Sequence, residues 1–501
     1  MLKLFQTCEV LRELRASSDL PLACSFIDGC WVRGHGEWAE LYNPADLSQT
    51  VGMVEFADGC EVESAVMAAT AAWDGWRAVS PLDRIKILRA TLGRLDRCRQ
   101  QIAEVITAEN GKTIDESLAE VDGSLREGIY QLDLLAENAP DEEDKVLETE
   151  TRYEPLGVAL LITPYNFPLA TIVRKLIPAL ALGNTAVVKP SEFTPLTAAA
   201  IFGLLQMSGL PDGVANLLLG EGPVVGPVVA AHKGLHAISL TGSTETGLAI
   251  QAISSPHVRF QAEMGGSNCV VVLVDADLDE AVDAVVRGGF ACSGQWCTGT
   301  SRVIVDRQIY AHFTNKLVER AQRIVVGNGM DERSDMGPLT TATQLKRVDR
   351  MVQEATDQGA RLCCGGCRPE PSRLNGSSSG HFFEPTVLIG VDPEMRIAQE
   401  EVFGPVLLVM PANDPDQALQ LANATRYGLS CSVYTGNVDQ AERFICGLGA
   451  GMCHVNLPTS YRDPDLPLNG WGDSGRGIPE SGRHAREFFS RIKAIYRHRR
   501  A

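Results

Sequence analysis

The sequence has no apolar run long enough to cross a bilayer, no apolar core of a secretory signal and too little positive charge for a polyanionic partner. The first absence argues against a membrane-spanning helix. The second, with Glu9, Glu13 and Asp19 in the segment Met1 to Leu22, argues against a signal or organelle transit peptide. Residues 1–24 therefore read as an N-terminal extension, and the protein as cytoplasmic. The third is a matter of counting: 45 Lys and Arg against 63 Asp and Glu give a net charge of −18, so no basic face is left for a nucleic acid. Cysteine is plentiful at 14, but without a secretory signal the thiols are expected to be reduced. Cys363, Cys364 and Cys367 lack a fourth ligand or a neighbouring histidine, which argues against zinc. The pattern G-x-G-x-x-G occurs once, Gly470 to Gly475, where no strand precedes and no long helix follows. It reads as a flexible loop and not as a dinucleotide fingerprint.

What is present is strand-helix alternation over a chain of 501 residues that is 45% hydrophobic, enough for two or three compact units. Leu156–Thr163, Ala186–Lys189, Ala215–Leu219, His236–Leu240 and Val258–Glu263 have strand character. Between them Leu169–Leu182, Pro195–Met207, Pro223–His232 and Thr244–Ile253 have helical spacing. Such alternation predicts parallel strands joined by right-handed crossovers, with ligands at the carboxyl ends of the strands. A second series, Cys269–Val274, Arg302–Val305, Val406–Met410 and Cys431–Tyr434, predicts a second α/β unit. Val62–Trp76 and Leu82–Glu109 are amphipathic helices suited to covering the first sheet. Pro140–Arg152 and the tail after Pro479 fit neither core and read as arms, either crossing to another subunit or lying solvated; Pro369–Gly380 is a surface loop.

Cys297, in Gly294-Gln295-Trp296-Cys297-Thr298-Gly299, lies on a turn between an apolar helical run, Ala281–Ala291, and a short apolar run, Val303–Asp306. A loop thiol on a rigid scaffold is a site for chemistry, although most free cysteines are small buried hydrophobes. Glu263 closes the last strand of the first sheet, where partial burial would raise its pKa toward the range of a general base. Asn166 follows a strand and precedes a helix, so its amide could donate to an oxyanion; taken alone, such an asparagine is more often a turn residue. Lys189 and Glu192 at another strand end could bracket a ribose, and Thr241-Gly242-Ser243 opens a helix whose N–H groups could meet a phosphate.

Taken together, in this order and spacing, these segments resemble the aldehyde dehydrogenase superfamily from about Phe26 to Tyr496. The resemblance implies a Rossmann-like NAD(P)-binding domain (residues 1–137 and 152–264) and a second α/β catalytic domain (265–456). It further implies a small oligomerisation arm (138–151 and 479–501), a loop completing the substrate tunnel (457–478), and a homodimer or homotetramer. It makes Cys297 the nucleophile, Glu263 the general base, Asn166 an oxyanion donor and Lys175 the family's conserved lysine. Thr163, Lys189, Ser191, Glu192, Gly242 and Ser243 become cofactor contacts, as do Glu401 and Phe403 of Glu400-Glu401-Val402-Phe403-Gly404-Pro405. The implied reaction runs through a cysteine thiohemiacetal and thioester to a carboxylic acid, and needs a thiol of lowered pKa. Glu192 would repel a 2′-phosphate, which favours NAD over NADP.

The segments Gly451–Thr459, Ile478–Gly482 and Glu487–Phe489 resemble members acting on 2-oxoglutarate semialdehyde and related carboxylated aldehydes. Arg126 and Arg462 are the candidate carboxylate partners, and Trp296 would narrow the tunnel beside the sulfur. Ser267 stands where such members usually have lysine, and Leu468-Asn469-Gly470 where they have phenylalanine and two glycines. A CoA-acylating enzyme would generally lack Glu263. A thiol hydrolase would need a histidine beside the cysteine, and a silent binding or structural relative would be expected to have lost Cys297, Glu263 or the cofactor contacts.

Overall fold

The computed structural model describes residues 2–16, 19–137, 149–374 and 379–497. Val158–Ile162, Thr185–Lys189, Ala215–Leu217, Ala237–Thr241 and Arg259–Glu263 form the parallel centre of an eight-stranded sheet. Their residues are almost all buried because helices cover both faces, which selects apolar side chains on both sides of each strand. Across the sheet the order is Arg259–Glu263, Ala237–Thr241, Val158–Ile162, Thr185–Lys189, Ala215–Leu217. The connection therefore reverses direction between Val158–Ile162 and Ala237–Thr241, which opens a crevice at their carboxyl ends.

The helices Pro168–Ala181, Pro195–Met207 and Thr244–Ile253 form where spacing predicts them, and the Leu82–Glu109 stretch divides at Cys98 into Pro81–Arg97 and Arg99–Asn110. The N-terminal extension belongs to the core: Leu4, Phe5 and Leu11 are buried against the helices of this half. Ser25–Ile27 and Cys30–Val32 add two antiparallel strands to one edge of the sheet, while Leu22–Ala23, Asp46–Glu55 and Trp38–Asn43 make a small three-stranded sheet.

The second sheet has seven strands, ordered Arg361–Cys364, Thr386–Ile389, Val406–Ala412, Thr300–Asp306, Asn268–Val272, Ser430–Tyr434 and Met452–Val455. All but the first run parallel. Of the expected arms, residues 138–148 and 498–501 lie outside the described residues, as do 375–378 of the expected surface loop. Thr149–Pro155 pairs antiparallel with Ser490–Tyr496, so the two leftover segments meet each other, with Ile492 and Tyr496 largely exposed. Among the described residues no helix is long and apolar enough to cross a membrane.

The G-x-G-x-x-G stretch departs from the flexible loop expected of it. Trp471–Gly472 pairs with Tyr427–Gly428, and Gly475–Arg476 pairs antiparallel with Ala262 and Glu263. Ser474 C=O accepts from Met264 N–H at 2.8 Å and Asp473 C=O from the Thr244 hydroxyl at 3.0 Å. The edge of the Glu263 strand carries backbone groups that need partners, and this segment satisfies them.

Candidate active site

The approach to Cys297 is a strained turn. Between the helix Leu278–Phe290 and the strand Thr300–Asp306, residues Cys292, Ser293 and Gly294 all adopt positive φ (51°, 56° and 69°). For the first two the left-handed region costs roughly 1–2 kcal/mol each, so the surroundings must hold them. Cys292 N–H donates to Glu116 Oε1 at 2.6 Å and Ser293 Oγ to the Gly337 carbonyl at 2.7 Å. At Gly294 a Cβ would lie 2.0 Å from the Gly404 carbonyl oxygen, so only glycine fits. Beyond the turn, Asn268 Nδ2 donates to the carbonyls of Cys297 and Gly299, both at 2.7 Å, and fixes the peptide that carries the sulfur.

Cys297 opens into a cavity of about 710 Å³ between the two sheets. Asn166 reaches the same cavity from the end of the Val158–Ile162 strand, and its Nδ2 donates one hydrogen to the Gln295 carbonyl at 2.9 Å. The second hydrogen of that amide is free for another acceptor. Trp296 and Phe167 pack at 4.9 Å between ring centres and form an aromatic wall.

Glu263 is buried, and its Oε2 has no hydrogen-bond partner among the described residues. Burial, reinforced by the neighbouring Glu480 carboxylate, pushes its pKa well above the ordinary value, the direction expected of a base able to hold a proton near neutral pH. The thiol departs from expectation. Burial pushes Cys297 up to about 11; Arg174 and Arg462 pull it down, but Glu401 and Glu263 oppose them. The lowered pKa the reaction calls for is therefore not a property of this pocket on its own, because desolvation of a thiolate outweighs two arginines that are themselves ion-paired. Alkylation of the Cys297 peptide, followed by mass spectrometry without added cofactor, should accelerate about tenfold per pH unit between roughly pH 7 and 9. A plateau in that interval would mean the thiol is acidic after all.

Lys175 does not line the cavity. Its ammonium is buried against the Glu480 carboxylate and the Ser239 hydroxyl, the latter at 2.8 Å. Glu480 also receives Arg174 Nε at 2.7 Å; against its burial, Lys175 and Arg174 hold its carboxyl well below the usual range. Arg174 and Glu480 were not singled out by sequence reasoning. Arg174 sits on the helix of Lys175, but its line to Cys297 exists only once helix and turn are brought together. Arg126 and Arg462 both line the cavity; Arg126 is exposed, and Arg462 is held by Ser481 Oγ at 2.9 Å and by Glu127 at 3.5 Å.

Ser267, where lysine was expected, accepts at its carbonyl and hydroxyl from the buried Arg302, which also caps the end of the Pro415–Asn423 helix through Leu421 and Ala422 carbonyls. A lysine there would set two buried cations side by side.

The remaining predicted contacts form two groups. Gly242, Ser243, Glu401 and Phe403 line the cavity. Ser243 Oγ caps the helix Thr244–Ile253 by accepting from Thr246 N–H at 3.1 Å, and Glu401 accepts from Gly266 N–H at 3.2 Å, its carboxyl pushed up to about 7 by burial. A Cβ on Gly265 would lie 2.3 Å from Glu401 Oε2, so the carboxylate occupies the space of the missing side chain. Thr163, Lys189, Ser191 and Glu192 lie outside the cavity lining, at the neighbouring strand ends. There Lys189 and Glu192 pair at 3.4 Å, Glu192 Oε1 accepts from Gly222 N–H at 3.2 Å, and Thr163 Oγ1 is buried without a hydrogen-bond partner among the described residues. Val224 and Val228, on the adjoining helix Gly222–Ala230, are 55% and 49% exposed, an apolar face left open beside that pair.

Comparison with known proteins places these features in a wider set. Residues 31–495 match the model of the aldehyde dehydrogenase family. An alpha-ketoglutaric semialdehyde dehydrogenase of Bacillus subtilis is 36% identical over 482 residues, covering 94% of this chain and 97% of that protein. A betaine aldehyde dehydrogenase of the same organism is 37% identical over 484 residues, covering 94% and 96%. Among solved structures, a betaine aldehyde dehydrogenase from Staphylococcus aureus in complex with NAD+ superposes with a TM-score of 0.90 at 32% identity, covering 99% of this chain and 97% of that one. Relatives with different substrates are equally similar, so overall identity does not select one.

Proposed function

The chain belongs to the aldehyde dehydrogenase family, and we propose that it oxidises a carboxylated aldehyde such as 2-oxoglutarate semialdehyde to the acid, with NAD as the cofactor. The observation that carries this reading is one cavity lined by Cys297, Asn166, Arg174 and Arg462, with the buried Glu263 outside its lining but near enough for its charge to act on the sulfur. The Cys297 thiol gives its proton to solvent water, the thiolate adds to the aldehyde carbon, and the oxygen accepts from the free amide hydrogen of Asn166 and from the Cys297 N–H. Bound nicotinamide supplies the hydride acceptor. Glu263 takes a proton from water, which then releases the acid from the Cys297 thioester.

The residues present suit such a cofactor. Lys189 and Glu192 would bracket a ribose, the open valines of the Gly222–Ala230 helix suit an adenine face, and the Ser243 helix start suits a pyrophosphate. Thr163 Oγ1 has an unspent hydrogen bond nearby, and Glu401 with Phe403 reach the nicotinamide half. The Glu192 carboxylate disfavours a 2′-phosphate, hence NAD before NADP. In this reading residues 1–137 with 152–264 hold the cofactor, 265–456 carry the nucleophile, and 457–478 contribute Tyr461 and Arg462 to the tunnel. The ribbon of Thr149–Pro155 and Ser490–Tyr496, with its exposed Ile492 and Tyr496, suits contact with a second copy in a cytoplasmic homo-oligomer.

The substrate class is tested with NAD and NADP against matched aldehydes with and without a terminal carboxylate. Carboxylated aldehydes should have the higher kcat/KM. Arg174→Ala or Arg462→Ala should cut that advantage roughly tenfold or more, the worth of one charge-assisted hydrogen bond, with Arg126→Ala doing less because that side chain is solvated. Equal kcat/KM for the two aldehyde sets would sink the substrate reading, and a strong preference for NADP the cofactor reading.

A further inference from the structure

Lys112 is a buried ammonium behind the cavity wall, only 2% exposed. Its Nζ donates to Glu120 Oε2 at 2.7 Å and to the main-chain carbonyl of Asn166, and lies 4.0 Å from the centre of the Phe167 ring. The other Glu120 oxygen accepts from Leu169 and Ala170 N–H at 2.9 and 3.1 Å, in the first turn of the Pro168–Ala181 helix. Burial alone would lower the Lys112 pKa; the Glu120 carboxylate beside it overrides burial and raises it. A buried ion pair of this kind adds little stability over apolar residues of the same volume. What it supplies is direction, because the ammonium holds the Asn166 carbonyl and faces the Phe167 ring while Glu120 holds the helix start that follows. The segment around Lys112 grips both sides of the site: Asn110 Nδ2 donates to the Tyr165 carbonyl at 2.9 Å, and Glu116 holds the strained turn before Cys297.

We propose that Lys112, braced by Glu120, is a positioning residue for the oxidation. It fixes the Asn166 backbone so that, with one amide hydrogen given to Gln295, the other points at the oxygen formed when Cys297 adds to the aldehyde. It also holds Phe167 against Trp296 and so sets the width of the tunnel beside the sulfur. The proposal rests on the reading of Asn166 as an oxyanion donor.

The test is a double-mutant cycle with Asn166→Ala. Lys112→Met should lower kcat roughly tenfold or more, the scale expected when a catalytic group is displaced by a fraction of an ångström to 1 Å, while cofactor affinity stays at the wild-type level. In the Asn166→Ala background the same change should cost little, because it acts through a group already removed. Lys112→Met leaves Glu120 unpaired, so Lys112→Met/Glu120→Gln, which leaves no buried charge without a partner, reads the same quantity if the single variant does not fold. Wild-type kcat in the double variant overturns the proposal, as do Lys112 and Asn166 effects that simply multiply or fall on cofactor affinity. If Asn166→Ala itself leaves kcat unchanged, the oxyanion reading fails and takes the proposal with it. If Asn166→Ala cripples turnover and the Lys112 variants do not, only the proposal fails.

Discussion

Cys297→Ala should abolish aldehyde-dependent reduction of the cofactor, with kcat falling by roughly four orders of magnitude or more, as when the nucleophile of a covalent mechanism is deleted. Cofactor binding should persist, since the Lys189–Glu192 pair and the Ser243 helix start make no hydrogen bond with the turn that carries Cys297. A second thiol lines the same cavity, and the contrast with it sharpens the test. Cys292 is buried, burial drives its thiol further up than that of Cys297, and its own N–H is committed to Glu116. Cys292→Ala should therefore retain turnover. Reduction of cofactor that survives Cys297→Ala, measured by the absorbance of the reduced nicotinamide, would remove Cys297 from the mechanism; survival only until Cys292 is also replaced would transfer the role.

Glu263→Gln should separate the two halves of the reaction. Formation of the thioester needs the sulfur and the oxyanion donors, whereas its hydrolysis needs a base for water. The variant should release about one equivalent of reduced cofactor per site in a rapid burst, then turn over roughly 10²- to 10⁴-fold more slowly than wild type. The wild-type rate should also rise with pH as the buried Glu263 carboxyl loses its proton: its pKa is raised, so the active carboxylate form accumulates at higher pH than for an ordinary glutamate. The glutamine variant should lose that limb of the profile. Unaltered steady-state turnover would show that another group activates the water, and the Glu480–Lys175–Arg174 cluster would be the next place to look.

The substitutions that matter most lie at positions the chain announces locally. Glu263 is legible because a strand pattern ends on it, Asn166 because a strand ends and a proline-started helix begins around it, and Cys297 because small residues flank a thiol between two apolar runs. Strand and helix periodicity is a short-range signal, set by which residues face a sheet or a core, and it carried both α/β units with small errors at their ends. The small sheet of Trp38–Asn43 and Asp46–Glu55 was not legible in the same way. Nor was the burial of Leu4 and Phe5, because these segments gain their partners from distant chain.

The same division runs through the site. Residue types and their order along the chain determined the family and marked the candidates for nucleophile, base and oxyanion donor, because each sits at a strand end or turn whose position depends on its immediate neighbours. Tertiary structure alone decided that Arg174 faces the sulfur, that Lys175 is occupied by Glu480, and that Gly470–Gly475 seals the Glu263 strand. It also decided that the thiol is pushed up and not down. These depend on the sum of burial and of charges from segments more than a hundred residues apart. That sum falls off with distance in space and has no counterpart in distance along the chain.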